Sequence, residues 1–231
     1  MQGSEGSSKG AGARLPGRLF ARQAGARAVV LAFALAGLQA TTGCGLRIAA
    51  TETSPAPGGE VLREPPDGAK FADLWQTGKG IDLVLEVGKP TTVRPFMRFS
   101  KVSLLFPDEG GGFSETDFQC AMAGLKIGGS QDIWWEAYIT LAGGLASYPE
   151  IRLIFPFGGD MPFFEAGSTG IVAGALGINI SIGKLKLFGE YEAMAMMDHF
   201  RATPDAESFV PGIEPSAPVI TKVGGGLRLE W

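Results

Sequence analysis

Cysteine and histidine are scarce in this 231-residue chain, which has two cysteines and one histidine. Two cysteines are too few for a small domain held together by disulfides, and metal centres need clusters of His, Cys or carboxylates that the sequence does not show. The apolar run from Ala28 to Leu38 falls well short of the roughly 20 residues that a membrane-spanning helix needs. These absences argue against a disulfide scaffold, a metal centre and a helical membrane anchor.

Positive charge is also scarce once the first 43 residues are set aside. They contain five of the 20 Lys and Arg residues but only one acid, so the remainder has 15 basic and 23 acidic residues and a formal charge of −8. An acidic chain of this kind argues against nucleic acid as a partner. The length suits one substantial domain with a leader and a linker.

The first residues predict a secretory signal peptide, because five basic residues precede the short apolar run. Six residues after that run comes Cys44, in the sequence Thr-Thr-Gly-Cys-Gly. This resembles a bacterial lipobox, which implies lipidation at Cys44 and a signal peptide over residues 1–43. The family usually has Leu where Thr41 stands. The alternative is ordinary cleavage after Ala40.

Residues 44–78 are rich in Pro, Gly, Thr and Glu, so the sequence predicts a flexible periplasmic linker there. From residue 79 onward the dominant hydrophobic period is two, which is typical of β-strands. The 35 glycines follow no Gly-X-Y repeat and suit crowded, curved β-structure. Eight alternating runs are predicted as strands: 81–87, 93–106, 120–127, 135–141, 151–157, 169–182, 185–195 and 219–231. The run 93–106 has Arg98 and Lys101 in opposite phases, which predicts a bulge or an extension beyond the membrane.

The polarity of these strands favours a membrane barrel over a soluble sandwich. The longer runs reach the roughly nine to thirteen residues that a tilted strand needs to cross a bilayer. One face is apolar, and the other combines small residues with charges of both signs, as expected of a narrow lumen. The predicted lumen charges are Lys186, Glu190, Glu192, Lys222 and Arg228. Inside a barrel such charges must pair or stay hydrated.

The last residues, Gly-Leu-Arg-Leu-Glu-Trp, have apolar side chains at alternate positions and end on an aromatic. They resemble the C-terminal assembly signal of outer-membrane barrels, which implies that the barrel-assembly machinery recognises Leu227, Leu229 and Trp231. The family often has Tyr where Leu229 stands. Residues 79–231 as a whole resemble the eight-stranded barrels of the OmpX and OmpA-domain type. The fold class is therefore predicted as all-β, a closed antiparallel up-and-down barrel in the cell outer membrane of a Gram-negative bacterium, with membrane lipid as a partner. Connections 88–92, 128–131, 158–168 and 199–217 are expected to face outward.

No catalytic set is evident in the sequence. The only histidine, His199, lies at the expected outer end of a strand and lacks the His-x-Ser pattern that a lipid-deacylating barrel would resemble. Cys120 falls on the lumen face and is interpreted as a small buried side chain. We therefore predict a non-enzymatic outer-membrane protein, without a cofactor, that has a structural or surface-contact role. The alternatives are a periplasmic lipoprotein barrel that binds an apolar ligand and a lipid A-modifying enzyme.

Overall fold

The computed structural model describes residues 44–55, 61, 69–87, 93–107, 110–128, 134–183, 185–213 and 215–230. The predicted signal peptide, 1–43, lies outside them. The strands are β1 (Cys44–Pro55), β2 (Gly78–Val87), β3 (Val93–Leu104), β4 (Gly112–Phe113), β5 (Thr116–Gly128), β6 (Trp135–Tyr148), β7 (Ile151–Ile154), β8 (Asp160–Phe164), β9 (Gly167–Ile182), β10 (Leu185–Met196) and β11 (Val219–Glu230). The helices are α1 (Phe71–Leu74) and α2 (Pro204–Phe209). Neither is long and apolar enough to cross a membrane.

Eight strands close into one antiparallel barrel, in the order β1, β2, β3, β5, β6, β9, β10, β11 and back to β1. This confirms the predicted fold class. Starting at Thr51, the register leads through β2 and β3 to Phe118 of β5, and in the other direction through β11, β10, β9 and β6 to Gly128 of the same strand. The two positions differ by ten residues, the shear of the barrel. Such stagger accompanies strands tilted by roughly 40°.

The linker prediction is wrong for Cys44–Pro55, because this segment is the first barrel strand and pairs with both β2 and β11. Among its described side chains only Leu46 and Ile48 are large and aliphatic, and its inner face is composed of Gly45, Arg47, Ala49, Thr51, Thr53 and Pro55. Such a strand has little hydrophobic signal of its own, so two neighbouring ladders determine its conformation. The barrel therefore includes Cys44–Pro55 and does not begin at residue 79.

The prediction that 151–157 is a barrel strand is also wrong. Only Ile151–Ile154 is extended, as β7, and it belongs to a separate three-stranded sheet in the order β4, β7, β8. Pro149 and Pro156 flank the segment, and proline supplies no N–H to a ladder. The eight-strand count was correct because one missed strand and one extra strand cancelled.

Because of these two differences, several connections lie at the opposite end of the barrel from the one that was predicted. The strand ends that border connections 88–92, 129–134 and 183–184 lie at the same end of the barrel as Cys44 and Glu230, which we name the short-turn end. The strand ends that border connections 56–77, 105–115, 149–166 and 197–218 lie at the opposite, long-loop end. The expectation that 88–92 and 128–131 share an end with 199–217 is therefore wrong. The tight turn after β9 uses Gly183 with φ of +65°, a conformation that glycine adopts without strain.

The barrel has its apolar face outside. Large apolar side chains on the outer surface are exposed by about half, whereas the charged side chains point inward and are buried. The exposed set includes Ile48, Ile81, Leu83, Leu125, Ile139, Leu141, Leu145, Val172, Leu176, Ile178, Ile180, Leu187, Val223 and Leu227. Strand β3 continues in one register without the predicted bulge, and Lys101 points outward near its long-loop end. A surface of this polarity matches a lipid environment.

Candidate functional site

The half of the interior nearest the short-turn end is filled by paired charges, which we name the lumen network. Glu86 of β2 lies at its centre and contacts four cations from four other strands. The N–O distances are 2.7 Å to Arg228, 3.5 Å to Arg47 and Arg94, and 3.8 Å to Lys126. Lys126 also contacts Glu136, at 3.1 Å. One buried carboxylate thus links five strands of the barrel.

A second group of ion pairs continues the network toward the middle of the barrel. Glu190 lies 2.8 Å from Arg47 and 2.5 Å from Arg98, and Arg98 also contacts Glu192. Lys222 bridges Glu192 at 2.9 Å and Asp82 at 3.0 Å. Charges that are almost fully buried are retained when they are paired and hydrogen-bonded. These contacts let the interior hold charge without a water-filled pore.

Tyr138 of β6 connects the two groups. Its hydroxyl accepts a hydrogen bond from Arg47 at 2.7 Å and donates one to Glu190 at 2.9 Å. Its ring lies against Gly177 of the neighbouring strand, where a Cβ atom would collide with the phenol. Glycine at this position therefore makes room for the tyrosine that orients the ion pairs.

The structure places all five sequence-predicted lumen charges inside the barrel. Glu192, Lys222 and Arg228 are buried, Glu190 pairs with Arg47 and Arg98, and Lys186 lies 3.3 Å from Glu136. The site residues that were not predicted are Arg47, Asp82, Glu86, Arg94, Arg98, Lys126 and Glu136. Several of them lie on the polar phase of a recognised strand, so alternation alone could have found them. Arg47 was missed because its strand was interpreted as a linker.

The half of the barrel nearest the long-loop end is filled by apolar side chains, which continue into the long loops. Eight aromatic side chains form this aromatic plug, with ring centroids 4.9–6.5 Å apart: Phe71, Trp75, Phe113, Phe118, Tyr148, Phe163, Phe164 and Phe200. Cys120 is buried in the same core, with its sulfur 3.9 Å from that of Met194. The half of the lumen nearest the short-turn end is thus ionic, and the half nearest the long-loop end is apolar.

The lumen has no passage among the described residues. The cavity between the ion pairs, bounded by Arg47, Arg98, Glu190 and Lys222, has a volume of about 10 Å³. That is roughly the room of one water molecule. It is far too small for a lipid or another apolar ligand. The interior is therefore a plug, as expected for eight strands.

The long loops carry an ordered structure of their own, the loop module, composed of α1, the sheet β4–β7–β8 and α2. Exposed Arg152 of β7 pairs with Asp160 of β8 at 2.5 Å. The hydrogen bond from this guanidinium holds the pKa of the Asp160 carboxyl below its usual value. Between β7 and β8 the tip of the hairpin exposes Phe157 completely. The module therefore combines a packed core with an exposed aromatic tip.

The loop module has an open pocket of about 850 Å³. Its lining includes Glu165, His199, Arg201 and Glu207. His199 is exposed and has no hydrogen bond among the described residues, so it is not paired there with a serine nucleophile. The described residues also contain no group of three His, Cys, Asp or Glu side chains that could hold a metal ion. Within the described part of the chain, this pocket therefore brings together charges of both signs but no hydrogen-bonded histidine–serine pair and no metal-binding group.

Two of the remaining predicted residues, Leu227 and Leu229, lie near the short-turn end. Leu227 and Leu229 of β11 are half exposed on the outer surface. Trp231 lies outside the described residues. Cys44 begins β1 opposite Val87, and its side chain also lies outside what the structure describes. Lipidation at Cys44 and recognition of the last strand by assembly machinery stay predictions.

Solved structures provide an independent reference for the fold. The outer membrane protein OprG from Pseudomonas aeruginosa is similar with a TM-score of 0.50 and 10% sequence identity, over 82% of this chain and 95% of that one. Neisserial surface protein A has a TM-score of 0.49 and 9% identity, over 82% and 96%. Ail of Yersinia pestis has 0.46 and 11%, over 82% and 98%. No protein-family model and no curated protein sequence matches the chain. The likeness to OprG shows the fold, a small closed antiparallel β-barrel. The apolar outer face of this barrel is the kind of surface that a lipid environment favours.

Proposed function

We propose that this chain is a non-enzymatic integral protein of the outer membrane that displays its loop module at the cell surface for contact with other molecules. The observation that carries the proposal is the contrast between the two parts of the molecule. The lumen is closed by ion pairs and aromatic rings, whereas the described parts of the long loops form a packed module with an open pocket and an exposed tip. A closed barrel that carries such a module suits display better than transport.

The two alternative functions find less support in the geometry. A barrel that binds an apolar ligand needs an apolar cavity, but the apolar half of this lumen is packed with aromatic side chains and the other half with ion pairs. A lipid A-modifying enzyme needs a nucleophile beside its base. His199 has no such partner among the described residues. The surface-contact role remains the best explanation of the loop module.

Assembly by the barrel-assembly machinery is part of the same proposal. Strand β11 closes the barrel against β1, with Leu229 opposite Leu46 and Leu227 opposite Ile48. These four side chains alternate along the lipid-facing surface of the closing seam. This position supports a role for the last strand in barrel closure.

Thiol labelling on intact cells tests the proposed orientation. Phe157→Cys introduces a thiol at the fully exposed tip of the loop module, and Trp134→Cys introduces one at the short-turn end, where the native side chain is 69% exposed. A membrane-impermeant maleimide should label Phe157→Cys on intact cells and Trp134→Cys only after lysis. The parent chain gives the background before and after lysis, which includes any free thiol of Cys44, whereas Cys120 is buried. If only Trp134→Cys is labelled on intact cells, the barrel has the opposite orientation. If neither variant is labelled after lysis, the two positions are not exposed and the fold is contradicted.

Lipidation at Cys44 is a separate part of the proposal, supported by the position of this residue. Cys44 pairs with Val87 at the short-turn end, so an attached acyl chain would start beside the lipid-facing surface, with no spacer before the barrel. We expect radiolabelled palmitate to be incorporated by the parent chain and not by Cys44→Ala. Cys120→Ala is the matched control and should incorporate as much as the parent. Equal incorporation by Cys44→Ala would favour cleavage after Ala40 and no lipid.

A further inference from the structure

The short segment 201–203 runs along the edge of β8 that does not face β7. Ala202 forms an antiparallel bridge with Phe164 of β8. The Glu165 N–H donates to the Arg201 carbonyl at 3.0 Å, and the Thr203 N–H donates to the Phe163 carbonyl at 3.0 Å. In this pattern the hydrogen bonds come from the residues on either side of the bridged pair. Residues 201 and 203 therefore bond to β8, and residue 202 does not.

The backbone groups of Ala202 and Phe200 point away from β8, because N–H and C=O groups alternate between the two edges of a strand. Within the described residues neither Ala202 nor Phe200 makes a backbone hydrogen bond on that side. The Phe200 side chain is buried in the aromatic plug, and that of Ala202 packs against the same core. The side chains are thus occupied while the outer backbone edge is free. Such an edge is a template for another strand.

This free edge borders the open pocket of about 850 Å³. Phe200 and Ala202 line one side, and Ile213, Pro215 and Ala217 of the returning arm of the same loop contribute to the lining as well. The prolines at 211, 215 and 218 have no N–H to donate, which hinders this arm from pairing with the edge. The spacings of a packed sheet allot roughly 160 Å³ to each residue, so the pocket has room for about five extended residues.

We propose that this pocket, the edge groove, binds an extended peptide segment as an added β-strand on Phe200–Ala202. The main-chain groups of the edge supply the affinity, as in other cases of β-strand addition. The charges that line the groove have both signs: Arg201 lies on the edge segment itself, and Glu207 lies on α2. The partner is therefore a peptide in which apolar residues alternate with charged residues of both signs. That the peptide comes from outside the cell rests on the proposed surface display. The binding of a peptide to the edge groove does not.

The test uses the full-length protein folded in detergent micelles and a fluorescent acetyl-Val-Asp-Val-Lys-Val-amide probe, with binding measured by fluorescence anisotropy. A second probe is N-methylated at the amides that would face the edge. Loss of the backbone hydrogen bonds should weaken binding at least tenfold. Equal binding of the two probes, or no binding of the first, would overturn the proposal. Because purified protein is used, this result is independent of the labelling experiment on cells.

Ala202→Pro isolates the edge itself. The substitution removes an N–H that bonds to nothing in the described residues, and both Arg201 and Thr203 keep their bonds to β8. We expect about five- to tenfold weaker binding of the unmethylated probe, the effect of one hydrogen bond. Ala202→Val keeps the N–H and serves as the control, with affinity close to the parent. The variant counts as folded if boiling changes its migration in gel electrophoresis as it does for the parent. A folded Ala202→Pro variant that binds the probe as tightly as the parent would overturn the assignment of the binding site to this edge.

Discussion

Glu86→Gln should destabilise the barrel more than any other single change in the lumen. Glu86 is 2% exposed and lies within 4 Å of four cations, so the substitution leaves Arg47, Arg94, Lys126 and Arg228 with one negative charge fewer. Removing one partner from buried ion pairs costs about 3–5 kcal/mol, because the remaining charges stay desolvated. We expect a loss of that size in the free energy of unfolding, measured by urea titration of the folded fraction in micelles or liposomes.

The matched control for this experiment is Glu52→Gln. Glu52 is an exposed residue of β1 that points to the outer surface, where the loss of one charge should cost less than about 1 kcal/mol. A double-mutant cycle with Arg228→Gln then measures the coupling across the 2.7 Å pair. If Glu86→Gln unfolds at the same urea concentration as Glu52→Gln, the four cations are compensated by water, and Glu86 is not the centre of the network.

Trp75→Ala should open the loop module. Trp75 is 2% exposed, its ring lies 5.0–6.0 Å from four other aromatic rings, and its indole N–H donates to the Ser114 carbonyl at 3.1 Å. Replacing a buried Trp by Ala costs about 3–5 kcal/mol through lost burial and the cavity left behind. We expect the long loops to be cleaved much faster in limited proteolysis, while the lumen network keeps the barrel strands as a protected fragment.

Two further variants separate packing from general effects of removing a tryptophan. Trp75→Phe keeps most of the ring contacts but loses the hydrogen bond, so its cost should be near 1 kcal/mol. Trp134→Ala changes a side chain at the short-turn end that is 69% exposed, and it should leave cleavage of the long loops unchanged. If Trp75→Ala resists protease like the parent, the loop module does not depend on the aromatic plug.

The strands that were predicted correctly are those with a strong two-residue period. In β9, Val172, Leu176 and Ile178 point outward between small inner residues, and this pattern defines both the strand and its phase. The inner charges of β10 and β11 follow from the same phase. Segment Cys44–Pro55 has too few large apolar residues to show a pattern, and Ile151–Ile154 has the pattern but is bounded by prolines. In both segments the neighbouring strands decide the outcome.

The lumen network shows a similar division. Alternation places Lys126, Glu136 and Glu190 on the inner face of their strands without reference to the rest of the chain. It cannot say that Glu86 meets four cations, because those contacts depend on the shear of the closed barrel and on Arg47 of the missed strand. Which side chains meet across the barrel depends on how the strands are aligned with one another, and the pattern of a single strand does not contain this information.

The sequence by itself determined the fold class, the phase of the regular strands and the ionic character of the lumen, because a two-residue period fixes which side chains share a face. Tertiary structure decided where the barrel begins, which connections share an end, and how the lumen is closed. It also decided that the long loops form a sheet with a free edge at Phe200–Ala202. These features depend on hydrogen bonds and contacts between segments far apart in the chain. Backbone pairing between such segments does not produce a periodic pattern of side chains that could be read from the sequence.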